Sequence, residues 1–297
     1  MDRKERVFVL LIVASALAGA VVGYKPVVLL HGFTGSYHDF DDFVAELERV
    51  EPGHRVFALN VDNKWESMKK LQILVDNAAR AIDGLIAADP VLFKDGFIFL
   101  GHSQGGIVSR AVIQQHRYNV TKYISVAGVQ SGFYGSCGVW LGKNLTCEML
   151  TDLLYTPVMQ NTFSAAGFWR TPLRDKYLRH NLFLPVLNNE EGTAASREYQ
   201  RMLRDNFLAV GEYHFFGSPD DEIIKPWYSS VFKTLATDGT TVVPREAQYI
   251  YTHDTFGLRT AVEQGRAHFY EVPGVKHQGW VGTQLDIVHK YIFPLLD

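Results

Sequence analysis

Ser103 lies in Gly101-His102-Ser103-Gln104-Gly105-Gly106, a G-x-S-x-G motif that follows the apolar run Phe97-Ile98-Phe99-Leu100 and precedes a helical pattern. On a strand–turn–helix corner of this kind the serine takes a strained backbone, and glycines beside it leave the room that the corner needs. The chemistry is nucleophilic attack on a carbonyl, which a serine hydroxyl performs only beside a base that an acid orients. In such a sheet the acid and then the histidine follow the serine in chain order, each in a loop just after a strand. His277 fits the base, in Pro273-Gly274-Val275-Lys276-His277 after the run His268–Val272. His268 falls inside that run, His253 before it and His289 on a C-terminal helical pattern, so none of these stands in the required loop. For the acid, Gly217-Ser218-Pro219-Asp220-Asp221 follows Tyr213–Phe216. Spacing leaves Asp220 and Asp221 both open, because neighbours in one turn can both reach inward.

An acyl-transfer site also needs two N–H donors for the oxyanion of the tetrahedral intermediate. One is expected from Gln104, directly after the nucleophile. The other is expected from Phe33, where Leu29-Leu30-His31-Gly32-Phe33 ends an apolar run in His-Gly. The chain contains no Walker-type loop, no H-E-x-x-H and no C-x-x-C. The expectation is therefore no cofactor and no metal.

These residues must be held by a frame, and the frame is legible as alternation. Short apolar runs occur at Val27–Leu30, Val56–Val61, Phe97–Leu100, Tyr123–Val126, Tyr213–Phe216 and His268–Val272. Runs without polar alternation suit strands covered on both faces. Between them helical spacing appears through Phe40, Phe43, Val44 and Leu47, through Leu71 to Leu85, after Gly106, and from Leu285 to Leu295. This predicts an α/β fold with a mainly parallel, doubly wound sheet and right-handed crossovers. The stretch from about Ser131 to Asn206 is too long for a connection and carries aromatic and helical content of its own. It is expected to be an inserted helical cap over the carboxyl edge of the sheet, roofing an apolar groove. No repeat or low-complexity linker divides residues 21–297, so one domain is expected.

At 297 residues the chain can bury an ample core, and its 47% apolar and 21% charged content is globular. Lys plus Arg total 29 against 32 for Asp plus Glu, a net charge of -3 with no basic tract beyond the first six residues. That balance excludes a nucleic-acid footprint. Arg3, Lys4 and Arg6 precede an uncharged apolar run from Val7 to Gly23 with small residues at Ala16, Ala18 and Ala20. This predicts a secretory signal peptide over residues 1–20, and no stable membrane anchor once it is removed. The rival, an uncleaved anchor, would be short for a membrane span. The secretory route fits the sequons Asn119-Val120-Thr121 and Asn144-Leu145-Thr146, and the pair Cys137 and Cys147, which could close a short loop.

Together these residues resemble the palmitoyl-protein thioesterases, α/β-hydrolases of the lysosome. The resemblance runs from Val27-Val28-Leu29-Leu30-His31-Gly32 to the C-terminus. It is most specific at the Ser103 motif, at Pro219-Asp220-Asp221-Glu222-Ile223-Ile224-Lys225-Pro226-Trp227 and at Asp254-Thr255-Phe256-Gly257-Leu258. The Pro-Asp-Asp and Pro-Trp elements look closer to the family's second branch than to its first. The resemblance implies Ser103 as nucleophile, Asp221 rather than Asp220 as acid, His277 as base, the Phe33 and Gln104 amides as oxyanion hole, and a Cys137–Cys147 disulfide in the cap. It implies hydrolysis of fatty acyl thioesters, palmitoyl-coenzyme A or S-acylated cysteine, through an acyl-enzyme, in the lysosome or after secretion. Two features depart from the family. Its further cysteines near the oxyanion loop and the elbow are absent, with His102 before Ser103, and residues 131–206 match less well than their flanks. The rivals are a secreted lipase or carboxylesterase acting on oxygen esters, and a binding protein that keeps the fold without turnover.

Overall fold

Six strands form one parallel sheet: β1 (Val27–Leu30), β2 (Val56–Ala58), β3 (Phe97–His102), β4 (Val120–Val126), β5 (Glu212–Gly217) and β8 (Ala267–Glu271), in the order β2-β1-β3-β4-β5-β8. The computed structural model describes residues 23–135, 137, 146–193 and 195–297. The signal segment at residues 1–20 and the sequon asparagine Asn144 lie outside them. Each predicted run falls on one strand of the sheet. β1 and β3 are buried along their whole length, the environment that selects unbroken apolar runs over alternating ones.

The winding reverses once. From β1 the chain passes through α1 (Asp41–Val50) outward to β2, then returns through α2 (Leu71–Ala88) across β1 to β3. The carboxyl ends of β1 and β3 therefore flank the crevice where direction switches, the place at which open α/β sheets bind ligands. β3 runs directly into α3 (Gln104–Gln115), which is buried from Gln104 to Gln114 rather than along one stripe. The reason is packing, since α2 and a later helix, α9 (Arg197–Leu208), both press on α3. Its polar side chains consequently need buried partners: Arg110 donates to the Asn188 and Gln114 side-chain oxygens and to the Gln130 carbonyl, under Phe232 and Phe256.

Between β4 and β5 lie α4 (Cys147–Leu154), α5 (Pro157–Thr162), α6 (Ser164–Phe168), α7 (Arg174–His180), α8 (Leu184–Leu187) and α9 (Arg197–Leu208). The helical content at Leu150–Val158 is cut in two. Thr156 takes an extended conformation, its hydroxyl accepts from the Met159 N–H, and Pro157 sits at the first helical position, so a new helix starts there. α9 is the exception among these six, because it joins the layer of α2 and α3 and leads into β5. After β5 come a short antiparallel ribbon, β6 (Thr234–Leu235) with β7 (Val242–Val243), and two small helices, α10 (Tyr249–Thr252) and α11 (Leu258–Glu263). The sequence assigns no elements there, because two-residue strands and one-turn helices are too short to show a period. The last helix, α12 (Leu285–Tyr291), packs with α1. Among the described residues no helix is long and apolar enough to cross a membrane.

Candidate active site

Ser103 sits at the corner between β3 and α3 with φ 56° and ψ -127°, its N–H donated to the Val126 carbonyl at 3.0 Å. The backbone strain is held by two close approaches. A β-carbon at Gly105 would lie 2.3 Å from the Leu30 carbonyl oxygen, and one at Gly32 would lie 2.6 Å from the Ser103 β-carbon. Glycine at these two positions is what lets the end of β1 touch the corner. Gln104 opens α3, where an amide has no acceptor within its own helix.

Ser67 ties this region together. Its hydroxyl accepts from the Thr34 N–H at 2.7 Å, and its carbonyl accepts from Gln104 Nε2 at 2.8 Å and from the Ser164 hydroxyl at 3.1 Å. One residue thus links the loop after β1, the Ser103 corner and the overlying helices. Phe33 adds an edge-on contact with Phe163, ring centres 5.9 Å apart.

His277 is buried, and its Nδ1 lies 2.8 Å from Asp221 Oδ2. The other Asp221 oxygen accepts the Ile223 and Ile224 N–H groups, each at 2.8 Å. Burial alone would raise the Asp221 pKa, but the hydrogen bond and charge of His277 and the two amides together hold it below the usual carboxylate value. An ionised Asp221 fixes the proton on Nδ1 and leaves Nε2 as the lone-pair nitrogen. Asp220, which spacing left open, points elsewhere: it is exposed, and its carboxylate accepts from the Gly274 N–H at 2.6 Å.

The loop carrying His277 is pinned along its length. Ser218 Oγ accepts from the Val275 N–H, Glu222 Oε2 accepts from the His277 N–H at 3.2 Å, and His102 Nε2 donates to the His277 carbonyl at 3.0 Å. The His102 and His277 rings lie 4.7 Å apart. Burial, and then the neighbouring His277, push the His102 pKa down to about 3, so this ring stays neutral with its proton on Nε2. His102, Ser218, Glu222 and Ser67 are absent from the site as read in the sequence. Three of them lie within the quoted motifs, but only the folded chain shows what they hold. The rejected histidines have other partners: His268 stacks on His214, His253 on Tyr249, and His289 pairs with Glu46.

Cys137 and Cys147 are joined by a disulfide with Cα atoms 5.1 Å apart, and Asn119 is exposed just before β4. A cavity of about 280 Å³ lies among Phe133, Arg170, Arg174, Tyr177, Glu190 and Lys233, with apolar walls from Leu235 and Ile250. With three cations and a buried carboxylate it is not the uniformly apolar groove expected beneath the cap, and Ser103, Asp221 and His277 do not line it. Among the described residues, the groups of metal-ligating side chains that converge are Glu212, His214 and His268, and Glu51, His54 and Asp297. Neither includes Ser103, Asp221 or His277.

The family model described as palmitoyl protein thioesterase matches residues 26–277. The chain is similar to the lysosomal thioesterase PPT2 homolog of Drosophila melanogaster, 34% identical over 301 aligned positions covering 100% of each chain. It is 31% identical to lysosomal thioesterase PPT2 of Homo sapiens over 92% of this chain and 88% of that one. To palmitoyl-protein thioesterase 3 of Dictyostelium discoideum it is 32% identical over 89% and 90%. Among solved structures, Bacillus licheniformis lipase BlEst2 in its mature form superposes with a TM-score of 0.50 at 14% identity, over 95% of this chain and 96% of that one. That likeness concerns the α/β-hydrolase fold alone.

Proposed function

The chain belongs to the palmitoyl protein thioesterase family and is a thioester hydrolase, and on that premise we propose that Ser103, His277 and Asp221 are its catalytic triad. The observation that carries this reading is the 2.8 Å contact from Asp221 to His277, on a loop that His102 ties to the Ser103 corner. Ser103 Oγ attacks the thioester carbonyl while His277 Nε2 takes its proton. Asp221 keeps the imidazole in the tautomer that can do so and stabilises the imidazolium. The amides of Phe33 and Gln104 receive the oxyanion, an interaction worth about 3 kcal/mol per donor in such sites. The tetrahedral intermediate collapses with loss of the thiolate, an easier departure than an alkoxide because a thiol pKa is about 8.5. His277 protonates the leaving sulfur, then draws a proton from water, and that water attacks the acyl-enzyme to release the fatty acid and restore Ser103.

The acyl donors are palmitoyl-coenzyme A or S-acylated cysteine, and the helices between β4 and β5 act as a cap over the site. Location in the lysosome, reached by the secretory route with residues 1–20 as signal peptide, is supported by the names of the relatives and by the disulfide, which suits an oxidising compartment. Asn119 is the exposed candidate for glycosylation.

The test is hydrolysis of palmitoyl-coenzyme A and of an oxygen ester of matched chain length, each against Ser103→Ala. Thioester turnover should exceed ester turnover and fall by about 10⁶-fold in the variant. Preference for the oxygen ester would make the chain an esterase, and turnover surviving Ser103→Ala would remove the triad from the reaction.

A further inference from the structure

At the opposite end of the sheet from Ser103, β5 and β8 begin side by side, and three potential ligands meet there. Glu212 and His214 are two apart on β5, so their side chains share a face, and His268 on β8 is the register partner of His214. The two imidazoles stack with centres 4.9 Å apart, and His214 Nε2 lies 3.3 Å from Glu212 Oε2. One ligand atom from each residue falls within 4.8 Å of the other two. We propose that Glu212, His214 and His268 bind a divalent transition-metal cation, Zn²⁺ by donor chemistry, which clamps the edge strand β8 to β5 away from the triad.

Two imidazoles and a carboxylate are a zinc donor set, and such three-ligand sites complete a tetrahedron with water. With bonds of about 2.0 to 2.1 Å the donors of a tetrahedral ion sit roughly 3.3 Å apart. The present spread therefore needs only side-chain rotation to close, and exposed Glu212 and half-buried His268 are free to make it. His214 is the fixed member, 4% exposed, with Nδ1 3.1 Å from the Tyr270 hydroxyl. A hydrogen bond of that kind to the outer nitrogen sets the ring orientation of a metal-ligating histidine. A cation that acts on His214 is Lys122, the register partner of Glu212, and its amine is engaged with the main-chain terminal oxygen of Asp297 at 3.0 Å. A stacked histidine pair with one carboxylate contact and no metal function is the competing account, and only binding separates the two.

The experiment titrates the chelator-treated mature protein with Co²⁺, read by its visible absorption bands and by calorimetry, and then displaces it with Zn²⁺. One ion per chain should bind, and Zn²⁺ should raise the Tm. His268→Ala and Glu212→Gln should each lower the affinity at least tenfold and abolish the Tm shift, and Tyr270→Phe should cost about tenfold. Both primary substitutions sit at partly or fully exposed positions, so the fold survives them. His54→Ala, in the other convergent group, should change nothing. Absence of saturable binding, affinity unchanged in His268→Ala, or affinity lost in His54→Ala would each overturn the assignment.

Discussion

Asp221 and His277 interact through one hydrogen bond, but His277 is positioned by more. Asp221 Oδ2 faces His277 Nδ1, while Oδ1 accepts two amides that would hold the side chain even without its charge. Asp221→Asn should therefore fold normally and lose about 10⁴-fold in kcat through the wrong tautomer, whereas Asp220→Asn should leave kcat within a few-fold. Steady-state kinetics with a thermal melt of each variant checks this. His102 is a positioning residue, since its Nε2–H holds the His277 carbonyl. His102→Leu should lower kcat by about a hundredfold with little change in KM, and His102→Gln, which can still donate, should recover part of that loss. Equal loss in both variants would mean that His102 only fills space.

At the scale of elements, the site is a meeting of loops that separate strands carry to one edge. β1 brings Gly32 against Ser103, and the turn after β5 is stitched to the turn after β8 from Ser218 through Glu222. Above them, the disulfide joins Cys137 to the first residue of α4 across ten positions. Closing a loop of that size restrains the unfolded chain by about 3 kcal/mol in the chain-entropy account. Cys137→Ser with Cys147→Ser should therefore lower the denaturant midpoint and loosen α4 first. Hydrogen exchange should show α4 and α5 losing protection while β3 and α3 keep theirs. A uniform loss across the sheet would show that these helices and the core open as one unit.

Across the whole molecule, burial of neutral histidines makes the fold sensitive to acid. His102 and His214 have pKa values pushed down to about 3 and about 4, and burial also lowers that of His54. An unfolded histidine takes its proton near pH 6.5, so between there and pH 4 the unfolded chain binds protons that these buried rings refuse. Stability should consequently fall as pH drops through this window, with a limiting slope of about 1.4 kcal/mol per pH unit for each such group. Asp221 works in the same direction lower down. Its depressed pKa contributes stability above the ordinary carboxylate value, which is lost as pH falls through the folded value. Urea unfolding at pH 7.0 and 4.5 should show the lower midpoint at 4.5, and an unchanged midpoint would mean that the rings are protonated in the folded state.

The sequence by itself determined what depends on neighbours along the chain. Apolar runs marked six strands, most plainly β1 and β3, because a strand buried on both faces shows its burial in consecutive residues. The glycines around Ser103 and at Gly32 marked the corner and the loop that approaches it, because no other residue tolerates those contacts. His277 was legible as a histidine in a post-strand loop. Spacing left open which of two adjacent carboxylates meets His277 from 56 positions away, since a turn can present either one; the family resemblance pointed to Asp221, and the contact itself appears only in the folded chain. The same holds for the roles of His102, Glu222 and Ser67, whose partners belong to other loops, and for α3, buried all round by helices remote in sequence. It holds again for Glu212, His214 and His268, which β5 and β8 bring into register. Periodicity records which way a side chain faces, but contact between distant segments depends on how strands order and pair. That information appears only once the sheet has formed.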